Sequence, residues 1–395
     1  MKNMSITITG GKVLQADNEW SDAPIVISGD NITRCGDLAV DIPDKAADIA
    51  IDAQGLLILP GIVDLHGDAF ERQLMPRPGV HFSHSSALLE TDNQMIANGI
   101  TTAYHGLTYS WEPGLRGAEA ARNFVDQFAD IRRLLKVDTF LHLRHETYNL
   151  DSEQEIIQWI TSGQVDLLAF NDHVAHIEQQ LNKPEKLSVY AGRTGLNPQA
   201  FIALHQKIKS LADDVPNSIA RIANAARECH IPMASHDDDS PDIRAWYEQH
   251  GCQLCEFPVD METALYAAEK QNPVIMGAPN VMRGGSHCGR LSAVESIAAG
   301  LCTILTSDYY YPTLVMAAFK LAGDNILPLA EAWALVSKNP AAAVNKTDRG
   351  TLATGKRADI LLVDAARPDL PIIRGAIVAG ELVYTKDLIG QLKAA

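Results

Sequence analysis

The sequence lacks the features that would mark a membrane-spanning, secreted or nucleic-acid-binding protein. Its longest clean apolar stretch, Leu56–Val63, covers eight residues and contains Pro60 and Gly61, whereas a spanning helix needs about twenty apolar residues. The opening MKNMSITITGG has no apolar signal-peptide core, so we expect a cytoplasmic protein without a membrane segment. The net charge of −16 argues against nucleic acid as a partner, but it does not exclude an anionic small molecule.

Cysteine is also scarce, with six residues in a chain of 395. Two of them, Cys252 and Cys255, have CxxC spacing. No second CxxC accompanies the pair, and the flanking QLCEFPV is typical of a buried strand. We therefore interpret both cysteines as structural residues rather than as a zinc or redox site.

The two ends of the chain share a pattern of short alternating strands. Apolar and polar residues alternate over Ser5–Leu14 and Ile25–Ile32, and again over Asp359–Val363 and Ala376–Tyr384. Neither end is large enough to bury a core alone. The sequence therefore predicts one small β-sandwich formed jointly by residues 1–55 and 351–395.

The middle of the chain, residues 56–350, alternates short apolar strands with amphipathic helices such as Gly117–Leu135, Ser218–Glu228 and Ala293–Ala299. Eight strands are predicted: Leu59–Leu65, Thr101–Tyr104, Thr139–Leu143, Leu167–Phe170, Ile231–Ala234, Leu254–Phe257, Val274–Met276 and Thr303–Leu305. Repeated βα units in this number indicate a closed (β/α)8 TIM barrel. The segment from 174 to 230 is long enough to contain a further element, so the strand numbering stays open.

Catalytic residues of such barrels lie at the carboxyl ends of the strands. His66 and Asp68 follow the first strand two positions apart and can reach one cation together. Glu146 follows the third strand and could bridge two cations, or it could pair with Arg144. His173 and His236 follow the fourth and fifth strands.

Asp308 follows the last strand, where it could bind metal and accept a proton from the attacking water, or cap a helix. The predicted metal ligands are thus His66, Asp68, Glu146, His173, His236 and Asp308. Imidazole and carboxylate ligands in this number suit two divalent cations, with zinc, manganese and iron all compatible. The acidic residues Asp172, Asp237 and Asp238 are available to fix the imidazole tautomers.

A glycine-rich loop after the seventh strand predicts an anion site, with an ordinary surface loop as the alternative. Adjacent glycines let backbone N–H groups converge on an anion, and arginine and histidine add donors for phosphate oxygens. The predicted substrate-binding residues are Arg283, Gly284, Gly285, Ser286 and His287.

Several motifs carry a family resemblance. LPGIVDLHGD resembles the first-strand signature of the amidohydrolase superfamily, whose split β domain is also similar. LHGDAFERQLMPRPGV, LHLRHE, ASHDDD, GAPNVMRGGSH and SDYYYPTL resemble the diphosphatase family of the carbon–phosphorus lyase pathway. The resemblance implies cleavage of α-D-ribose 1-methylphosphonate 5-triphosphate with release of diphosphate. It also implies the same six ligands. From its place at the barrel rim, we expect Asp308 to be the catalytic base.

The chain departs from that family after its fourth-strand histidine. The family commonly has a Pro-Gly turn followed by glutamine, whereas this chain has Val174-Ala175-His176-Ile177, so a substrate contact there is altered. Two functions other than the diphosphatase are also open. One is an amidase or deaminase that attacks carbon with the same metals, and the other is a non-catalytic barrel. The sequence leaves the oligomeric state open, a homo-oligomer included.

Overall fold

The computed structural model describes residues 4–36, 47–77, 79–285, 290–388 and 392–394, and its central feature is a sheet of eight parallel strands. In chain order, the strands are β1 (Ile62–Gly67), β2 (Ile100–Tyr109), β3 (Asp138–Glu146), β4 (Leu167–Asn171), β5 (Met233–His236), β6 (Leu254–Glu256), β7 (Val274–Gly277) and β8 (Cys302–Thr306). Each strand pairs with the next one along the chain.

The first and last strands meet at their carboxyl ends. A parallel bridge joins Gly67 to Asp308, and the Asp308 N–H donates to the His66 carbonyl at 2.9 Å. Farther down, the Val63 N–H donates to the Val336 carbonyl and the Leu305 N–H to the neighbouring Leu335 carbonyl. The predicted (β/α)8 barrel is confirmed.

Fifteen α-helices occur in the described ranges. They are α1 (Glu71–Leu74), α2 (His84–Ala97), α3 (Ala118–Ile131), α4 (Glu153–Thr161), α5 (Val174–Gln180), α6 (Pro184–Thr194), α7 (Pro198–Lys209), α8 (Val215–Glu228), α9 (Pro241–Gln249), α10 (Met261–Glu269), α11 (Ala278–Arg283), α12 (Ala293–Ala298), α13 (Thr313–Gly323), α14 (Leu329–Ala334) and α15 (Lys338–Ala343). Short 3₁₀ turns cover Arg132–Leu134 and Leu150–Ser152. The segment between β4 and β5, where the sequence left a further element open, contains four helices, α5 to α8.

All eight predicted strands are present, with bounds that differ from the structure by one or more residues; β2 and β3 extend farthest beyond their predicted ends, to Tyr109 and Glu146. Two other differences have a clear physical cause. Leu59–Leu65 is divided at Gly61, because Leu57–Pro60 pairs antiparallel with Ile360–Asp364 in another sheet before β1 begins. A Cβ on Gly61 would lie 2.1 Å from the Thr101 hydroxyl, so glycine permits the close approach to β2. Strand β5 begins two residues later than predicted, after Pro232, which has no N–H to donate.

The chain ends form two smaller sheets. One contains Ser5–Thr9, Ile25–Ser28, Asn31–Arg34, Ile49–Asp52 and Leu392–Ala394; the other contains Lys12–Leu14, Trp20–Ser21, Leu57–Pro60, Ile360–Asp364, Ile372–Val378 and Glu381–Thr385. Ile6, Ile27 and Ile58 pack with Ile360 and Leu362 in one buried cluster. The predicted β-sandwich built from both ends is therefore confirmed.

Two features bear on the classes of protein considered above. Within the described ranges, no helix is both long and apolar enough to cross a membrane. Cys252 and Cys255 are buried free thiols, in agreement with the structural interpretation of the CxxC pair.

Candidate metal centre

Side chains alternate between the two faces of each strand, which places a row of polar side chains inside the barrel at the carboxyl end of the strands. On β3, Leu141 and Leu143 pack outward against the helices, while Phe140 lies in the barrel interior. Because successive residues of a strand face opposite sides, His142, Arg144 and Glu146 continue the inward row towards the carboxyl end. The same parity places His236 above Ala234 on β5 and Glu256 above Leu254 on β6.

One group of potential metal ligands forms where β1 meets β8. His66, Asp68 and Asp308 each present a ligand atom within 4.8 Å of the others. The Asp68 N–H donates to the Asp308 carbonyl at 2.9 Å, so the backbone bridge holds the two acidic residues together. Gly67 is required here, since a Cβ would lie 2.9 Å from the Tyr311 ring and 3.0 Å from an Asp64 carboxylate oxygen.

The His66 ring is fixed by a residue that sequence reasoning missed. Its Nδ1 lies 2.8 Å from Glu256 Oε1, and both side chains are buried. Its Nε2 is buried and has no hydrogen-bond partner in the part of the chain that the structure describes. When the carboxylate accepts from Nδ1–H, Nε2 carries a lone pair that is available to a metal. The position of Glu256 at the end of a predicted strand, level with the other candidates, could have revealed it.

A second group consists of His173, His236 and Asp237, again with ligand atoms within 4.8 Å. Asp237 Oδ2 lies 3.7 Å from His173 Nε2, and Oδ1 lies 3.5 Å from His236 Nδ1. Arg290 pairs with Asp237 at 2.6 Å. Asp237 thus contacts both imidazoles directly, as its predicted place beside them suggested.

The other two acidic residues predicted beside the imidazoles have different partners. Asp238 is buried and accepts from Ser235 at 2.5 Å and from Arg244 at 3.4 Å. Asp172 accepts from the Val174 N–H at 3.0 Å at the start of α5. Both therefore brace the loops that follow β4 and β5.

Glu146 lies beside the second group. Its Oε1 is 2.5 Å from His173 Nδ1. Burial opposes the charge on this carboxylate, but His173 and Arg144 outweigh it and hold the pKa of Glu146 below its usual value. Conversely, burial disfavours the charged His173 ring, but Glu146 and Asp237 raise its pKa to about 9. Whether Glu146 bridges two cations stays a prediction.

Arg144 connects the two ligand groups. Its Nη1 lies 3.3 Å from Asp68 Oδ2, and its Nη2 lies 3.5 Å from His236 Nε2. The predicted alternative, a pairing between Arg144 and Glu146, is not among the salt bridges of the described residues, in which Arg144 pairs with Asp68.

Buried negative charge is in excess in this part of the barrel. Five carboxylates, from Asp68, Glu146, Asp237, Glu256 and Asp308, stand against the two guanidinium groups of Arg144 and Arg290 and the His173 ring, whose pKa is raised to about 9. Burial raises the pKa of Asp308 to about 7, with Asp68 adding to the effect, and burial raises the pKa of Asp68 to about 6. Divalent cations would relieve this repulsion, so the donor set fits them.

A cavity of about 580 Å³ opens beside these groups, and we call it the arginine cavity. Its lining includes Asp237, Arg283, Gly285, Arg290 and Asp308. Arg283 is exposed and has no salt bridge within the described ranges.

The glycine pair of the predicted anion loop ends a helix. The Gly284 N–H donates to the Val281 carbonyl at 3.4 Å and the Gly285 N–H to the Asn280 carbonyl at 3.1 Å, and Gly284 has a left-handed φ of 74°. These N–H groups therefore cap α11. Ser286 and His287, the other predicted contacts, lie outside the described residues.

Comparison with known proteins gives the following similarities. The amidohydrolase family profile matches residues 295–384. The chain is 34% identical over 323 residues to alpha-D-ribose 1-methylphosphonate 5-triphosphate diphosphatase of Escherichia coli (strain K12), which covers 79% of this chain and 84% of that protein.

Solved structures with low sequence identity share the fold. N-acetylglucosamine-6-phosphate deacetylase from Pasteurella multocida superposes with a TM-score of 0.64 at 12% identity, covering 96% of this chain and 99% of its own. Dihydropyrimidinase from Brevibacillus agri NCHU1002 has a TM-score of 0.59 at 14% identity, covering 97% and 95%.

Proposed function

Because the chain belongs to the amidohydrolase superfamily and, within it, to the family of the ribose 1-methylphosphonate 5-triphosphate diphosphatase, we propose that it cleaves that triphosphate to the 5-phosphate and diphosphate. The chain is a metal-dependent hydrolase acting on a small molecule. The substrate itself is our proposal, and it rests on the identity shared over most of both chains.

We assign two divalent cations to the two ligand groups. His66, Asp68 and Asp308 would hold one, and His173 and His236 the other, with Glu146 between them; Asp237 is a further donor to the second. The cations would lower the pKa of the attacking water and polarise the phosphoryl group. The buried Nε2 of His66, which has no hydrogen-bond partner among the described residues, supports this assignment.

Asp308 is the proposed proton acceptor. It lies in the first ligand group and also lines the arginine cavity, so it faces both the metal centre and a space for substrate. The water oxygen would form a bond to phosphorus while the bridging P–O bond breaks. The water proton goes to Asp308, and the electron pair of the broken bond leaves with diphosphate.

The arginine cavity would receive the departing diphosphate. Arg283 brings to it a cation that has no salt bridge within the described ranges, and Arg290 brings a second cation that is shared with Asp237. Guanidinium groups stabilise negative charge as it moves onto the leaving phosphates. Ser286 and His287 stay predicted contacts to the same phosphates.

The function is tested by a substrate screen of the metal-reconstituted enzyme. We would compare a ribosyl 5-triphosphate with cyclic amides and aminated rings, and identify phosphate products by ³¹P NMR. Release of diphosphate with little turnover of the nitrogen compounds is the expected result. Faster cleavage of C–N bonds would replace this proposal by the amidase or deaminase alternative, and absence of bound metal would favour the non-catalytic barrel.

A further inference from the structure

A second space adjoins the metal centre, across the barrel from the arginine cavity. This aromatic cleft, of about 450 Å³, is lined by Trp111, Glu112, Arg116, His176, Tyr190 and Arg193, together with Glu146 and His173. These residues lie at or beyond the carboxyl ends of β2, β3 and β4, whereas the residues of the arginine cavity lie at or beyond the carboxyl ends of β5 to β8. The two spaces therefore flank the ligand groups from opposite sides.

The aromatic cleft has a rigid wall. Phe201, on α7, is fully buried. Its ring stacks on the Tyr190 ring with 5.8 Å between the ring centroids, and its centroid lies 6.2 Å from that of the Trp111 ring. Arg193 lies over the Tyr190 ring at 4.8 Å. One buried aromatic side chain thus fixes the position of both rings that border the cleft.

The charges of the cleft are already matched. Arg193 pairs with Glu112, and Arg116 holds Glu71 through two hydrogen bonds of 3.0 and 2.8 Å. Glu146 pairs with His173 at 2.5 Å, so the cationic groups Arg116, Arg193 and His173 each already have a carboxylate partner. Arg283 in the arginine cavity has no such partner within the described chain.

We propose that the aromatic cleft binds the sugar end of the substrate, so that the triphosphate crosses the metal centre towards Arg283. Aromatic faces beside fixed polar groups suit a ring that carries hydroxyl groups, because the faces pack on its C–H side while the ion pairs donate and accept hydrogen bonds. This inference rests on the proposed function and adds to it a direction of binding.

Helices α5 and α6 supply much of the cleft, including His176, Tyr190 and Arg193. The Val174–Ile177 stretch that departs from the family pattern lies in the same segment. The change therefore falls where the sugar and its substituent at carbon 1 would be recognised, and leaves the ligand groups unaltered.

Inorganic triphosphate carries both anhydride bonds and no sugar, so it reports on binding of the phosphate end of the substrate alone. In the metal-loaded enzyme, Trp111→Ala should raise KM for a ribosyl 5-triphosphate about tenfold and leave KM for inorganic triphosphate within twofold. Trp111→Phe should restore most of the loss. Trp20→Ala, which removes an exposed tryptophan from the small β-sandwich, should change neither value.

Binding of D-ribose 5-phosphate, followed by isothermal titration calorimetry, gives a readout that needs no turnover. Trp111→Ala should weaken it about tenfold as well. The inference is overturned if Trp111→Ala leaves ribose 5-phosphate affinity unchanged, or if it raises KM for both triphosphates equally. If the wild type cleaves neither triphosphate, the proposed function fails, and the ribose 5-phosphate titration still decides whether the cleft binds a sugar.

Discussion

Replacing Glu256 tests how the barrel orients His66. Both residues are buried, and the Glu256 carboxylate is the partner of His66 Nδ1 at 2.8 Å. In Glu256→Leu, this N–H has no acceptor, and the ring is free to rotate or to change tautomer. Loss of such a contact behind a metal-binding histidine typically weakens metal affinity about 10- to 100-fold, which corresponds to about 1.4 to 2.7 kcal/mol.

Glu256→Gln separates orientation from charge. His142 Nδ1 lies 2.9 Å from the Leu65 carbonyl, so it carries the proton, and His142 Nε2 is an acceptor 4.0 Å from Glu256 Oε2. A glutamine can therefore accept from His66 with its oxygen and turn its NH₂ towards His142. We expect this variant to keep metal affinity within about threefold, a free-energy change below about 1 kcal/mol.

Metal affinity would be measured by titrating chelator-treated protein with zinc in a calorimeter. Asp92→Asn is the matched control, because Asp92 is also buried but accepts from the Val137 N–H, away from the centre. Unchanged zinc affinity in Glu256→Leu would refute the orienting role. Equal losses in the leucine and glutamine variants would show that the charge of Glu256, and not its geometry, matters.

Four further outcomes follow from the site. Asp308→Asn should lower kcat by about a hundredfold or more with an unchanged circular dichroism spectrum; near-normal turnover would assign the proton to another group. Arg283→Ala should cost about 2–5 kcal/mol in transition-state stabilisation of triphosphate cleavage and spare a small neutral ester, and equal losses would indicate damage to the loop. Glu146→Gln should reduce the zinc bound per chain, as measured by atomic emission, and full occupancy would exclude a bridging role. Glu146 and Asp237 raise the pKa of His173 to about 9, so this ring is protonated at pH 7. Zinc binding should therefore release a proton and become tighter as the pH rises towards 9. Calorimetry in buffers of different ionisation enthalpy measures the proton release.

The local pattern of apolar and polar residues was enough to predict the eight strands of the barrel. Side-chain alternation follows from the period of a strand, so His66 and Asp68 could be placed on one side of the chain before any pairing was known. The carboxyl-end rule then brought His66, Asp68 and Asp308 to one rim. The paired strands at both chain ends likewise predicted a shared sandwich, because neither end could bury its apolar face alone.

Contacts between distant segments required the tertiary structure. Glu256 lies 190 residues from His66 in the chain, and no local period encodes which strand ends face each other across a barrel. The division at Gly61 depends on pairing with Ile360–Asp364. The N–H groups of Gly284 and Gly285 donate to carbonyls of the preceding helix. The aromatic cleft forms only when α7 places Phe201 behind Trp111 and Tyr190. Sequence periodicity thus fixes which side of an element is buried, whereas packing between elements decides which buried groups become neighbours.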